Sequence, residues 1–292
     1  MNVKFWRFFF GFLVLSSALV WLFVFLSPDD KFHLVACDVG QGDAILVVKG
    51  SNQILIDGGP NEKVLTCLSN NLPFWDRQIE LVVATHPEYD HLTGLASVIQ
   101  RYRILQIVSN SLPAESGIFQ KFRTEAVNRQ IPVHSPKAGE EIKAGEIKLK
   151  ILYPLKKLGE EIVWKTLEEP KVLGLSTYTG NFNKTAIVAL LEFGDFQALL
   201  PADVGVEEEE KILPLLGEVE VLKVAHHGSK YSTSEEFLAT IRPKLAVISV
   251  GANNRYGHPA PEVLERLRTV GAQICRTDLE GEIEIVSDGK NF

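Results

Sequence analysis

From Phe32 onward, short apolar runs alternate with segments whose apolar residues recur every three or four positions. That alternation of strands with amphipathic helices predicts an α/β protein. His33 to Cys37 is the first strand-like run, and it leads into Asp38-Val-Gly-Gln-Gly-Asp43, too rich in glycine to be regular. Ala44 to Val48 and Gln53 to Ile56 flank Gly50-Ser-Asn52, a hairpin signature ending in Asp57-Gly58-Gly59. Ile79 to Ala84 is apolar apart from Glu80 and stops at Thr85-His86. Leu95, Val98, Ile99 and Tyr102 fall at helical spacing, so a helix is expected to begin just past His91.

The second half repeats the opening. After a hairpin over Glu141 to Leu152, turning at Ala144-Gly145, Ala186 to Phe193 and Phe196 to Leu200 form another around Gly194-Asp195. This one again ends in a carboxylate, Asp203, as Ala44 to Asp57 does, a weak internal symmetry that points to two similar halves packed as layers. A strand from Val219 to Ala225 stops at His226-His227-Gly228-Ser229, and Ser232-Thr-Ser-Glu235 predicts a capping box. A strand from Leu245 to Val250, a helix from Pro261 to Val270 stopped by Gly271, and strands near Ile274 and Ile283 follow. Residues 154–182 show no period; a loop that long in a compact domain is functional or mobile.

The N-terminus breaks this pattern. Phe8 to Leu26 runs about 19 residues without a charge, long enough to cross a bilayer as a helix. Lys4 and Arg7 precede it and Asp29 and Asp30 follow, so the positive-inside tendency places everything after residue 30 outside the cytoplasmic membrane. A cleaved signal peptide is the competing reading, but the stretch ends Val-Phe-Leu-Ser-Pro without small residues at a cleavage site. The expected organisation is therefore a membrane anchor over residues 1–30 and a hydrolase domain over 31–292.

Of 292 residues, 46% are hydrophobic and 23% charged, which excludes a disordered chain. The net charge of −7 shows no basic surface of the kind that grips duplex DNA, so any nucleic-acid role must rest on a local site. The three cysteines have no metal-type spacing; Cys37 and Cys275, in apolar strand-like runs, are expected as buried free thiols.

Metal-binding residue types recur immediately after strand ends: His86, Glu88, Asp90 and His91 after one, Asp203 after a second, His226 and His227 after a third. Ligand sites of α/β sheets lie in the crevice at such ends. Singly, each residue has a plainer explanation: a solvated loop histidine, an N-capping aspartate, or, for Glu207 to Glu210, an acidic first turn. Together they fit two divalent ions, with His86 and Glu88 toward one, Asp90 and His91 toward the other, and Asp203 as the bridge. Of the adjacent histidines, His226 is the expected ligand and His227 its supporting partner, with the reverse also open. Lys223, Lys230, Arg255 and His258 supply positive charge or a proton donor for a phosphate group, His258 and Asp90 being the expected catalytic groups. For Lys223 the plainer alternative is a strand residue on a solvent face, and Asn253 and Asn254 are as well explained as turn formers.

His86-Pro-Glu88-Tyr-Asp90-His91 resembles the His-X-His-X-Asp-His signature of metallo-β-lactamase-fold hydrolases, with Glu88 in place of the second histidine. The chain most resembles the extracytoplasmic hydrolase domain of the ComEC competence proteins. It shares with them Asp38 to Asp43, Ile54-Leu-Ile-Asp57-Gly-Gly59, the Leu-Leu-X-X-Asp ending at Asp203, Leu222-Lys-Val-Ala-His-His-Gly-Ser229, and Ser249 to His258-Pro. The resemblance implies a four-layered αββα sandwich, two divalent ions, and a nuclease that degrades one strand of incoming DNA. Two departures follow. Asn183-Lys-Thr185 stands where β-lactamases supply a further histidine, which argues against lactam hydrolysis, makes Asn183 and Thr185 candidate substrate contacts, and admits Mn²⁺ beside Zn²⁺. The single anchor contrasts with a multi-spanning channel, so DNA transport would need a separate channel protein. The expected function is a membrane-anchored DNA phosphodiesterase. Hydrolysis of another exported phosphodiester and a non-catalytic DNA-uptake subunit are the alternatives.

Overall fold

The computed structural model describes residues 3–26, 29–110, 114, 116–158, 178 and 180–292; most of the unperiodic stretch 154–182 therefore lies outside the described residues. Among the described residues, fourteen strands form two seven-stranded sheets. The first contains β1 (Phe32–Ala36), β2 (Ile45–Lys49), β3 (Asn52–Ile56), β4 (Gln78–Ala84), β5 (Arg103–Ser109) and β6 (Val133–His134). The second contains β7 (Glu141–Ala144), β8 (Ile147–Tyr153), β9 (Val188–Phe193), β10 (Phe196–Leu200), β11 (Val221–Lys223), β12 (Leu245–Ile248) and β13 (Gln273–Arg276). The last strand, β14 (Ile283–Ser287), crosses back to pair with β1, Phe32 opposite Ser287.

The expected symmetry is present in the sheet order. Each sheet runs as four antiparallel strands followed by three parallel ones. β14-β1-β2-β3 precede β4-β5-β6, and β7-β8-β9-β10 precede β11-β12-β13. The expected hairpins appear in register, with Ile45 opposite Ile56, Ala144 opposite Ile147, and Phe193 opposite Phe196.

The helices are α1 (Val3–Leu26), α2 (Lys63–Asn71), α3 (Tyr89–Arg101), α4 (Gly117–Asn128), α5 (Val206–Ile212), α6 (Glu235–Ile241), α7 (Pro261–Thr269) and α8 (Thr277–Glu280). Leu34, Val47, Ile54 and Val83 of one sheet bury against Leu149, Leu191, Ala198 and Val247 of the other. Leu46, Leu55 and Val82 face outward beneath Leu68, Leu95 and Phe122 of α2, α3 and α4. Leu199, Leu222 and Ala246 face outward beneath Ile212, Phe237 and Val263 of α5, α6 and α7. Three apolar layers between four structural layers make the αββα sandwich. Among the described residues, α1 is the one helix long and apolar enough to cross a membrane.

Three local expectations are corrected. α3 begins at Tyr89, ahead of His91, so Asp90 and His91 occupy its first turn, where the helix dipole favours an acidic side chain. The cap of α6 is Ser234, whose hydroxyl accepts from Phe237 N; Thr233 has a left-handed φ of 56°, which prevents the helix from starting at Ser232. That turn is held by Glu209, whose carboxylate accepts from the backbone N–H groups of Thr233 and Ser234, so Glu209 is more than part of an acidic first turn. Finally, Cys37 is not a free thiol. It follows β1 beneath α2 and is bonded to Cys67, with Cα atoms 5.7 Å apart, while Cys275 remains free.

Candidate metal centre

The carboxyl ends of β3, β4, β10 and β11 meet at one end of the sandwich, and each delivers part of a buried polar cluster. Close backbone contact brings α3 to them. A side chain on Gly94 would stand 1.9 Å from the Gly58 carbonyl, so glycine there lets the helix lie against the end of β3. Gly58 N donates to His91 O at 2.7 Å and Asp43 N to Asp90 O at 3.1 Å, fixing the first turn of α3 over the strand ends.

Asp90, His91, Asp203 and His227 form a group whose ligand atoms lie within 4.8 Å of one another, and Asp57, His86 and His91 form an adjoining one. Asp203 Oδ2 stands 3.3 Å from His91 Nε2 and 3.4 Å from His227 Nε2, and His227 Nε2 is 3.4 Å from Asp90 Oδ2.

The three buried histidines are oriented alike. His91 donates from Nδ1 to Asp57 Oδ2 at 2.8 Å, and His227 donates from Nδ1 to the Ser249 carbonyl at 2.9 Å. Thr85 Oγ1 gives its single proton to Asp57 Oδ2 at 2.7 Å, so at 2.9 Å it accepts from His86 Nδ1. Each ring therefore presents Nε2 inward. None of these three buried nitrogens, nor Asp203 Oδ1, has a hydrogen-bond partner among the described residues. A ring fixed through Nδ1 with Nε2 converging on carboxylates is the arrangement of a metal-binding imidazole.

The electrostatics call for positive charge at that point. Burial pushes the pKa of His91 and His227 down, but Asp203 with Asp57, and Asp203 with Asp43, outweigh it. They hold His91 well above its ordinary value and His227 at about 9. Burial pushes Asp90 up, but His227 and His91 bring it down to about 2; the same two rings hold Asp203 well below the carboxylate range against its burial. Glu88 is raised by burial and by the charges of Asp90 and Asp203. His86, buried and beside His91, is pushed well below its ordinary value and stays neutral, with its Nε2 lone pair bare. A divalent cation would relieve the repulsion among three carboxylates, take the place of the protons on His91 and His227, and take up the bare Nε2 of His86, so the residues present fit metal ions.

The sequence candidates divide accordingly. His86, Asp90, His91, Asp203 and His227 converge. Glu88 stands beside them, half-buried at the N-cap of α3 without making a side-chain cap, and joins neither group. Of the two adjacent histidines, both open as ligands, it is His227 that turns toward Asp90 and Asp203. Both have left-handed backbones, at φ 50° and 54°, which turn the rings 76° apart and send only His227 inward. His226 stays one-third exposed, with Nε2 3.8 Å from Asp203. Lys223 is neither on a solvent face nor open to substrate. It is buried between the sheets, paired with Asp43 and 3.6 Å from Asp203 Oδ1.

Thr185 is also withdrawn from substrate, because its buried hydroxyl donates to Phe182 O at 2.6 Å and accepts from Asn110 Nδ2 at 3.2 Å. Its neighbour Asn183 retains a side-chain oxygen without a partner among the described residues. His258 lies at the rim, its ring 5.8 Å from that of His226, and Asn254 clamps its backbone N and O, so the turn-forming alternative describes Asn254. Lys230 and Arg255 are exposed on the loops that carry His226 and His258.

Sequence pattern alone gives no role to Asp43, Asp57 or Thr85. Asp57 orients His91 and Thr85, and Asp43 lies 3.5 Å from His227 Nδ1 beside Lys223. The signal was present, since Asp43 and Asp57 each sit in a glycine-rich turn at a strand boundary, as Asp203 sits past β10.

This fold, with histidines and carboxylates at its strand ends, defines a metal-dependent hydrolase fold. The Metallo-beta-lactamase superfamily model matches residues 37–252, and the chain belongs to that superfamily. Among curated proteins it is similar to three competence-type proteins. Identity is 27% to ComE operon protein 3 of Bacillus subtilis, over 91% of this chain and 34% of that protein. It is 27% to Recombination protein 2 of Haemophilus influenzae, over 94% and 31%. It is 34% to Competence protein ComA of Neisseria gonorrhoeae, over 88% and 32%. The chain thus spans about a third of the length of these relatives. Among solved structures, the metallo-β-lactamase fold protein YhfI of Bacillus subtilis superposes with TM-score 0.57 at 10% identity, covering 88% of this chain and all of that one. The diiron β-hydroxylase CmlA of Streptomyces venezuelae gives 0.52 at 16%, over 89% and 54%. These two likenesses show the fold.

Proposed function

We propose that the chain is a binuclear metal-dependent phosphodiesterase that cleaves DNA outside the cytoplasmic membrane, held there by α1, with the globular part from residue 31 as the hydrolase. The observation that carries this reading is the convergence of the His91 and His227 Nε2 atoms on Asp203, with the buried His86 Nε2 in the adjoining group, all three without hydrogen-bond partners among the described residues. His86 and Glu88 would hold one ion; Asp90, His91 and His227 the other; Asp203 both. Paired Zn²⁺ or Mn²⁺ would supply Lewis acidity to a phosphodiester and a nucleophile at neutral pH. Asp57, Thr85 and the Ser249 carbonyl keep the three rings in their binding tautomer. His258, with Nδ1 unpartnered among the described residues, would give a proton to the leaving oxygen. Lys230 and Arg255 offer charge to flanking phosphates.

Support for DNA as substrate comes from the names of the competence relatives, and support for an exported location from the Cys37–Cys67 disulfide, which oxidising compartments favour. A separate channel protein would be the partner in uptake. The net charge of −7 favours, as a second reading, a phosphodiester other than long DNA. Full-length protein in nanodiscs, loaded with Mn²⁺ or Zn²⁺, is expected to cut single-stranded DNA, and Asp203→Ala to be inactive. Intact DNA with every metal, alongside cleavage of a small phosphodiester, would decide for the second reading. A preparation that binds no metal would leave only a non-catalytic role.

A further inference from the structure

The end of the sandwich opposite the metal centre carries a surface that the reaction leaves unexplained. β1, β3, β4 and β5 run parallel and all start there. Three features meet at this end. The chain enters β1 at Phe32, and only residues 27–31 separate Phe32 from the end of α1, a reach of about 20 Å fully extended. Beside the start of β4, Asp76 accepts from Gln53 Nε2 at 2.7 Å and from Gln78 N at 3.1 Å. The loop so fixed exposes Phe74 (71%) and Trp75 (42%), packed edge-to-face at 4.8 Å. Next to it, Arg77, Arg101, Arg103 and Arg129 frame an open groove of about 630 Å³. Glu62 pairs with Arg101 at 3.3 Å, and Arg77 lies over the Tyr102 ring, which leaves a local cationic excess on an acidic chain.

We infer that this end docks on the anionic headgroups of the bilayer that holds α1, with Phe74 and Trp75 at the interface and the arginines on lipid phosphates. The inference rests on the reading of α1 as an anchor. The Trp75 indole, apolar in body with a polar N–H, is of the kind that partitions to headgroup level, Phe74 adds apolar surface beside it, and clustered arginines near a tether favour anionic lipid. From β1 to β4 is three strand spacings, about 14 Å, so a tether at Phe32 holds the loop within reach of the same surface. Nucleic acid is a poorer occupant, because β4 and the turn after it place His86 about 25 Å from the groove. Docking would set the metal centre that distance off the membrane, facing away from it.

The test uses full-length protein in nanodiscs of phosphatidylcholine alone or mixed with phosphatidylglycerol, with brominated lipids as quenchers. The difference between wild type and Trp75→Phe isolates the Trp75 signal, which is expected to be quenched in the anionic discs. Arg77→Glu and Arg103→Glu, both exposed, should each lower the docked fraction about fivefold. Equal quenching of wild type and Trp75→Phe overturns the inference. So does charge reversal that weakens binding of a single-stranded oligonucleotide while leaving Trp75 quenching unchanged. Alkaline carbonate extraction, read on membranes carrying the same variants, separates the two readings. Extraction overturns anchor and docking together, whereas retention with unquenched Trp75 overturns docking alone.

Discussion

The two halves of the sandwich each place a carboxylate just past the last antiparallel strand, beside the first parallel one, yet give it different work. In the first half Asp57 is satisfied internally, accepting from Thr85 N, Thr85 Oγ1 and His91 Nδ1. In the second half Asp203 sits 3.3–3.4 Å from two ring nitrogens and keeps Oδ1 without a hydrogen bond among the described residues. One orients a candidate ligand, His91, and the other is itself the candidate. A repeated framework thus supplies comparable positions, and the neighbours of each decide whether its oxygens are taken up by the protein or left open.

The sharpest way to break this comparison is to remove both carboxylates in turn. Asp203→Ala is expected to abolish metal binding and turnover, whereas Asp57→Ala should weaken metal affinity by about 10–100-fold while leaving residual activity. Equal loss in both variants, by titration calorimetry and turnover, would erase the distinction. Next in size is the buried cross-half contact: Lys223 of the second half pairs with Asp43 of the first. Lys223→Met strands a buried carboxylate and should lower stability by about 3–5 kcal/mol, part of which Asp43→Asn in the same chain restores. Denaturant unfolding of the single and double variants measures this, and additive losses would count against the pairing.

The disulfide belongs to the first half alone. Cys67→Ser opens a loop closed over a separation of 30 residues and should reduce stability by about 3–4 kcal/mol, an effect that dithiothreitol reproduces on the wild type.

The smallest effect is at the seam between first and last strands, where His33 contacts Asp29 and Glu284, each at 2.7 Å. Burial opposes the charge on His33, but the hydrogen bonds to Asp29 and Glu284 raise its pKa above 6.5; the bond to His33 lowers Asp29 below 3.8. A raised histidine contributes fully below its unfolded value and loses that contribution as pH climbs through the folded value. A lowered aspartate contributes above its unfolded value and loses that as pH falls through the folded one. The contact should therefore be strongest between about pH 4 and 6.5, worth under about 1 kcal/mol at this exposure. His33→Gln should flatten the stability profile on the alkaline side of that window, and an unchanged profile would remove the contact from the account.

Local pattern made the hairpins, the cluster of histidines and carboxylates at strand ends and the duplicated order legible, because alternation, turn glycines and abrupt strand ends are properties of neighbouring residues. What stayed hidden depends on contacts far along the chain. Cys37 gives no sign that α2 will lay Cys67 over it, and Lys223 has the same sequence environment as a surface strand residue. The choice between His226 and His227 is set by two successive left-handed backbones, which residue type does not encode. Ser232 loses its capping role because Glu209, 23 positions earlier, holds the next turn open.

The return of β14 to β1 has a consequence for how this unit can be carried. Ser287 sits opposite Phe32, so the chain enters and leaves the sandwich at one end, the end away from the metals. A unit whose two leads emerge side by side can be spliced into a longer polypeptide, or slung between two membrane segments, without reordering a strand. That portability suits a module matching about a third of the length of each of its curated relatives.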